Sequence, residues 1–460
     1  MDQKSKTGLN RLSPARLLAW ELLLRIERDA AYLDRVLDVA LLRAHLSASD
    51  RALLTDLVHG VVRWKRWLDF QLQSFAEHPL QQYPLPVLTA LRIGAYQLLF
   101  LERIPEHAAV HQAVELIKPL GKRVAGLVNA ILRTLLRHRG SLPQPSVADP
   151  ARYYATVHSY PEWLVDRWLE RFGVEETVRL LQAQNRRPKL SLRVNQQRMR
   201  PETLLRWLQE RSVKAVQSLY VPTCVQVERL PYPLLREVLE NGWASIQDVS
   251  SVLVVELAAA QPGMQIIDLC GAPGGKACAV AERLHGQGQI AVVDIHPRRL
   301  RLAEREAQRL GVATLMSFHV ADARRFRYEL ADIVLLDAPC SGLGTIAKKP
   351  DIKWRRRKED IAPLVQLQRD ILHNAAQLVR PGGVLLYSTC TIEPEENQEV
   401  VWDFLQRHPE FVLEEADRWL PAVVCCDGFL QTLPHRHEEC DGAFAARLRR
   451  RALKGTNFET

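Results

Sequence analysis

No apolar run in this sequence is long and unbroken enough to cross a bilayer, which takes about 20 consecutive residues. The apolar stretch from Leu17 to Ile26 is interrupted by Glu21 and Arg25, so no secretory core is visible. Cysteine is scarce. Eight in 460 residues exclude the dense disulfide framework of small secreted domains and suit reduced thiols. Internal repeats and low-complexity segments are absent, which argues against solenoids and disordered tails. These absences lead to the expectation of a soluble, cytoplasmic protein that does not engage a membrane.

What remains is an ordinary globular balance, 47% hydrophobic and 25% charged, in a chain long enough for several domains. The net charge is +9, and residues 1–150 carry 20 Lys and Arg against 14 Asp and Glu. The basic excess therefore lies mostly in the first third, as expected where a chain holds a polyanion.

The sequence reads as three parts: 1–140, 151–239 and 240–452. In the first, Ser13-Pro14 is a helix start. Leu88, Leu91, Ala95 and Leu98 repeat at helical spacing until Pro105, and Val110, Val114 and Ile117 resume it. A last helix is expected over 124–138, and the breakers from Gly140 to Pro145 form a linker. The second part mixes a helix over 163–171 with a strand over 190–194. Arg186, Arg187, Lys189, Arg193, Arg198 and Arg200 around that strand are either a basic RNA-facing surface or a solvated rim. In the third, strands at 264–269, 289–294, 315–320, 333–337 and 384–389 alternate with helices. That pattern means a parallel, doubly wound α/β sheet covered on both faces. Such sheets bind ligands at the carboxyl ends of their strands.

The first strand of that sheet runs into Cys270-Gly271-Ala272-Pro273-Gly274-Gly275-Lys276. Its glycines let backbone turn tightly against a ligand. Asp294 ends the next strand, 19 residues after Gly275, and suits ribose hydroxyls. The loop lacks both G-x-G-x-x-G and a terminal G-K-[ST]. The reading is a nucleoside cofactor without a pyrophosphate, the class to which S-adenosylmethionine belongs. Asp322 follows the third strand.

The fourth strand ends in Asp337-Ala338-Pro339-Cys340-Ser341-Gly342 and the fifth in Tyr387-Ser388-Thr389-Cys390-Thr391. Cys340 and Cys390 are 50 residues apart in sequence, yet adjacent strand ends open into one cleft. A lone cysteine is usually a small buried hydrophobe. Two at equivalent strand ends beside a cofactor loop suit thiolate addition to carbon 6 of a pyrimidine, which makes carbon 5 nucleophilic toward a methyl group. Asp337 is placed to meet the base edge. Spacing leaves open which cysteine attacks.

The segments DLCGAPGGKA, DAPCSGLGT and YSTCT resemble the bacterial RNA 5-methylcytosine methyltransferases, as do Pro350-Asp351-Ile352-Lys353-Trp354 and Glu395-Glu396-Asn397. The N-terminal helices, including Val128-Asn129-Ala130-Ile131-Leu132-Arg133, are similar to the RNA-binding antitermination factor NusB. The combination resembles the branch that modifies 16S ribosomal RNA, and the likeness covers nearly the whole chain. It implies an all-α NusB-like domain, a small α+β linker domain and a Rossmann-like methyltransferase domain. It implies S-adenosylmethionine as cofactor, no metal, and 16S rRNA as substrate. A monomer needing no protein partner is expected. It assigns attack to Cys390 and product release to Cys340. Cofactor contacts fall on Cys270 through Lys276, Asp294, Asp322 and Asp337. Gly271 and Ala277 stand where the family usually has Ala and Thr. Ala443 and Ala445 stand where aromatics are usual.

The run Lys348, Lys349, Lys353, Trp354, Arg355, Arg356, Arg357 and Lys358 is expected to meet RNA, because it follows the Cys340 motif. Cys425, Cys426, His435, His437 and Cys440 match no standard zinc spacing and are expected in a loop.

Overall fold

Apolar residues three and four apart bury one stripe of each N-terminal helix. Ala15, Ala19, Leu22 and Leu23 do so in α1 (Pro14–Arg28), and Ala125, Val128, Ile131, Leu132 and Leu135 in α7 (Lys122–Arg137). Between them lie α2 (Leu33–Arg43), α3 (Ala48–Arg63), α4 (Lys65–Gln73), α5 (Leu85–Phe100) and α6 (Glu106–Ile117). Helix α5 is buried at every position from Thr89 to Leu98, as befits the helix at the centre of a bundle. Two more helices follow, α8 (Pro150–Val157) and α9 (Glu162–Asn185), the second interrupted at Gly173. This computed structural model describes residues 12–437 and 440–452; residues 1–11, the start of the expected first part, lie outside the described residues.

The chain forms two compact units. Among the described residues the helical one comprises 12–185 together with 349–355, and the other 186–348, 356–437 and 440–452. The second unit opens with a small antiparallel sheet in the order β2-β3-β1-β4. Its strands are β1 (Leu190–Val194), β2 (Ala215–Gln217), β3 (Cys224–Val227) and β4 (Ala244–Ile246). Helices α10 (Pro201–Gln209) and α11 (Tyr232–Glu240) pack on it.

After α12 (Val249–Ala258), strands and helices alternate. They are β5 (Gln265–Leu269), α13 (Gly275–Arg283), β6 (Gln289–Asp294), α14 (Pro297–Leu310), β7 (Met316–Val320) and β8 (Ala331–Asp337). Next come α15 (Ile361–Leu378), β9 (Val379–Thr389) and α16 (Gln398–Arg407). Strands β5 to β9 pair in parallel in the order β9-β8-β5-β6-β7. The order reverses at β5, which opens a crevice at the carboxyl ends.

The sheet is mixed, which differs from the parallel sheet expected. Strand β13 (Ala443–Arg450) pairs antiparallel with β9. It carries β10 (Phe411–Glu414) and β12 (Phe429–Thr432), and β12 carries β11 (Cys425–Cys426). These strands cover the edge of β9 that would otherwise be unpaired. Cys425 and Cys426 therefore lie in a strand, where a loop was expected.

Candidate active site

The sheet's register sets the site. Asp337 lies opposite Ser388 at the ends of β8 and β9, so Cys340 and Cys390 follow at the same level. Their sulfurs are 3.4 Å apart, and the Cys390 N–H points at the Cys340 sulfur, also at 3.4 Å. Cys390 is exposed and Cys340 half-buried. Two backbone bonds hold the strand ends together: Ala338 N–H to the Ser388 carbonyl, 2.8 Å, and Gly344 N–H to the Cys390 carbonyl, 3.1 Å. The Cys340 thiol is held well above the ordinary thiol range. The hydrogen bond to Cys390 is the largest cause, followed by burial and by the charges of Cys390 and Glu396.

Beside the sulfurs, Lys276 Nζ lies 2.7 Å from Asp337 Oδ2. Burial works against the ammonium, but Asp337 first, and then the Cys390 sulfur and Asp268, hold its pKa above the usual value. Asp337 also accepts a bond from the Ser388 hydroxyl at 3.1 Å.

The glycine loop runs from the end of β5 into α13, which carries Lys276. Gly274 has φ +95°, and a Cβ there would sit 2.7 Å from the Ala303 Cβ of α14. Only glycine fits, because α13 must start where α14 already stands. Cys270 takes φ +61°, and burial pushes its thiol up to about 12, so it is no thiolate at neutral pH. Asp294 ends β6 almost fully buried. Its Oδ1 accepts the His296 N–H at 2.8 Å, and Arg299 Nη1 is 3.4 Å from Oδ2. Asp322, after β7, is held by Arg324, through its N–H at 2.9 Å and its Nη2 at 2.6 Å. Those bonds keep the carboxyl below its ordinary value.

Sequence reasoning left Asp268 without a role. It is fully buried, and neither carboxyl oxygen has a hydrogen-bond partner among the described residues. Burial, then the charge of Asp337, push its pKa to about 8. An orphaned carboxyl under the loop fits a cationic group of a bound cofactor. A Cβ on Gly271 would come within 2.7 Å of that carboxyl, so glycine there lets the loop lie close against it. Gln368 was also missed. It lies 28 residues before Glu396 in sequence, and nothing local marks it.

Part of the basic run is corrected. Lys348 is tied to Asp248 and lies 3.0 Å from Asp441. Residues 349–355 belong to the helical unit, where Asp351 accepts the Leu33 N–H at 3.3 Å. There too Trp354 Nε1 donates to the Val62 carbonyl at 2.7 Å. Lys353 is fully buried, its Nζ 2.9 Å from the Arg63 carbonyl and 3.8 Å from the Tyr160 ring centroid. Burial holds its pKa well below the usual value. Of the run, Lys349, Arg357 and Lys358 are exposed. Arg193 is likewise no surface cation: it is buried against Glu282, with Nε 2.6 Å from Gln247 Oε1. His437 uses one ring nitrogen on the Leu433 N–H and the other on the Val423 carbonyl.

Comparison with known proteins follows the same outline. The family pattern described as 16S rRNA methyltransferase RsmB/F matches residues 255–449. The NusB family matches 13–137, and an RsmF/B-like ferredoxin-like domain matches 160–232. A probable ribosomal RNA small subunit methyltransferase B of Bacillus subtilis is 36% identical over 94% of this chain and 98% of its own. A ribosomal RNA small subunit methyltransferase B of Yersinia pestis is 35% identical over 88% of this chain and 92% of its own. The crystal structure of the protein PH0851 is 26% identical with a TM-score of 0.76, covering 95% of this chain and 98% of that one.

Proposed function

The chain belongs to the 16S rRNA methyltransferase RsmB/F family, and from that premise we propose that it methylates carbon 5 of a cytosine in 16S rRNA through a covalent Cys390–cytosine intermediate. The observation that carries this reading is the pair of sulfurs 3.4 Å apart at neighbouring strand ends, beside the Lys276–Asp337 ion pair.

S-adenosylmethionine supplies an electrophilic methyl group on a sulfonium. The loop from Cys270 to Lys276 would give it a backbone bed, and Asp294, Asp322 and Asp337 would hold it from the ends of their strands. The Cys390 thiolate adds to carbon 6 of the cytosine, forming a carbon–sulfur bond and placing an electron pair on carbon 5. The Lys276 ammonium, which the Cys390 sulfur helps to hold protonated, favours that thiolate. Carbon 5 would take the methyl group as the methyl–sulfonium bond breaks, leaving that sulfur a neutral thioether. A base then accepts the carbon 5 proton, the electron pair of that C–H bond restores the carbon 5–carbon 6 double bond, and the carbon–sulfur bond breaks to release Cys390 as a thiolate.

Cys340 serves this last step. Its sulfur lies 3.4 Å from that of Cys390, so it stands beside the carbon–sulfur bond that must break. A base attacked on one edge and methylated at the next carbon must leave its stack.

The test is direct. Purified protein, labelled cofactor and unmodified 16S rRNA are incubated, and the RNA is digested to nucleosides. The label should run as 5-methylcytidine. Label in any other nucleoside contradicts the reading.

A further inference from the structure

The loop that carries Cys340 has almost no polar group left to chance. Arg356 holds the Cys340 carbonyl at 3.1 Å and the Ser341 carbonyl at 2.8 Å. Gln368 Nε2 donates to the Pro339 carbonyl at 2.9 Å and to Glu396 Oε1 at 3.0 Å. The remaining donors of Ser341 both go to one carboxylate: its N–H to Glu396 Oε1 at 2.8 Å, and its hydroxyl to Oε2. The Ser341 oxygen is also 2.8 Å from the Thr391 hydroxyl, next to the other cysteine.

The following residue works on the second loop. Asn397 Oδ1 accepts the Thr389 hydroxyl at 2.5 Å, and its Nδ2 donates to the Thr391 carbonyl at 3.1 Å. Those two bonds bracket Cys390. Glu396 and Asn397 are both fully buried, and the Tyr387 hydroxyl pins the Glu396 carbonyl to β9 at 2.6 Å. Two adjacent side chains therefore hold the two cysteine loops: Glu396 holds Ser341 and also bonds Thr391, and Asn397 spans Cys390.

We propose that Glu396 and Asn397 are positioning residues, a clamp that sets the separation of the Cys340 and Cys390 sulfurs during methyl transfer. The proposal rests on the reading of those cysteines as the reacting pair. A carboxylate is suited to the Glu396 position because it accepts several donors at once and gives charge-assisted bonds to Ser341. An amide is suited to the Asn397 position because it must accept from one side of Cys390 and donate to the other. Neither touches the loop from Cys270 to Lys276 in any hydrogen bond recorded for the described residues, so the clamp acts on the sulfurs and not on the cofactor.

The experiment compares Glu396→Ala, Asn397→Ala and Glu396→Gln with the wild type in two assays. One measures kcat, KM and the cofactor's dissociation constant. The other follows phenylarsine oxide, which bridges two close thiols with loss of water, and locates the Cys340–Cys390 bridge by peptide mass spectrometry. The alanine variants should lose about tenfold to a hundredfold in kcat, the cost of a displacement near 1 Å. Cofactor affinity should stay within about twofold of wild type by the same argument, and the arsenical bridge should form more slowly. Glu396→Gln, which keeps an acceptor for the Ser341 N–H, should recover part of both losses. Folded alanine variants with wild-type kcat and wild-type bridging overturn the proposal. If they do not fold, Ser341→Ala, which removes only the hydroxyl link, decides the question in the same way. A wild type that makes no 5-methylcytidine would defeat the underlying reading, whereas the bridging assay would still judge the clamp.

Discussion

At the residue scale, the site works by placing like and unlike charges at different depths. Lys276 sits between Asp337 and Cys390, and Asp268 lies buried below with no hydrogen-bond partner among the described residues. Asp268 is pushed up to about 8 by burial and then by Asp337. Its folded pKa is above the unfolded carboxyl value of about 4. The protonated group therefore contributes its stability below about pH 4, and that contribution is lost as pH rises toward 8. Melting curves without cofactor should show the wild type losing more stability between pH 5 and 9 than Asp268→Asn does. Equal losses in the two proteins would mean that Asp268 is ionised at neutral pH. A bound cation would reverse the sign by favouring the carboxylate, so saturating cofactor should shrink the difference between the two.

At the scale of elements, the site depends on how closely α13 and α14 approach at the glycine loop. Gly274→Ala would place a methyl 2.7 Å from Ala303 at a φ of +95°. The left-handed conformation alone costs roughly 1–2 kcal/mol. The variant should be destabilised by at least that in denaturant melts and should bind cofactor more weakly in a titration. Much at this scale was legible beforehand. β6 was read to its end residues, because Asp294 closes an apolar run. The cleft that unites Cys340 and Cys390 followed from the strand-end rule for α/β sheets. β13 was not legible. Its sequence, Ala443-Phe444-Ala445-Ala446-Arg447-Leu448-Arg449-Arg450, is rich in Ala, a weak strand former, and lacks β-branched residues. Pairing with β9 makes it a strand, and pairing is not local information. The burial of Lys353 and the anchoring of Trp354 were not legible for a similar reason. Lys353 and Trp354 are fixed by Arg63 and Val62, about 290 residues away, and charge alone does not reveal such partners.

At the scale of the whole molecule, the basic excess of the first 150 residues belongs largely to the helical unit. Helix α7 exposes Lys122, Arg123, Arg133 and Arg137 opposite its buried stripe. If that face meets phosphate, Arg133→Glu with Arg137→Glu should weaken rRNA binding. It should also flatten the dependence of log Kd on log salt, by about 0.9 for each duplex phosphate no longer neutralised or about 0.7 for a single strand. The cofactor's dissociation constant should not move. An unchanged salt slope would place the RNA on another surface.

The central claim concerns two cysteines with different duties, and one measurement bears on it most directly. Wild type, Cys390→Ala and Cys340→Ala are each given labelled cofactor and unmodified 16S rRNA. Transferred label is counted, and denaturing gels are run for protein–RNA adducts. Cys390→Ala should transfer no methyl group and form no adduct, while Cys340→Ala should accumulate an adduct that survives denaturation. Methyl transfer by Cys390→Ala would contradict the account and move the attacking sulfur to Cys340.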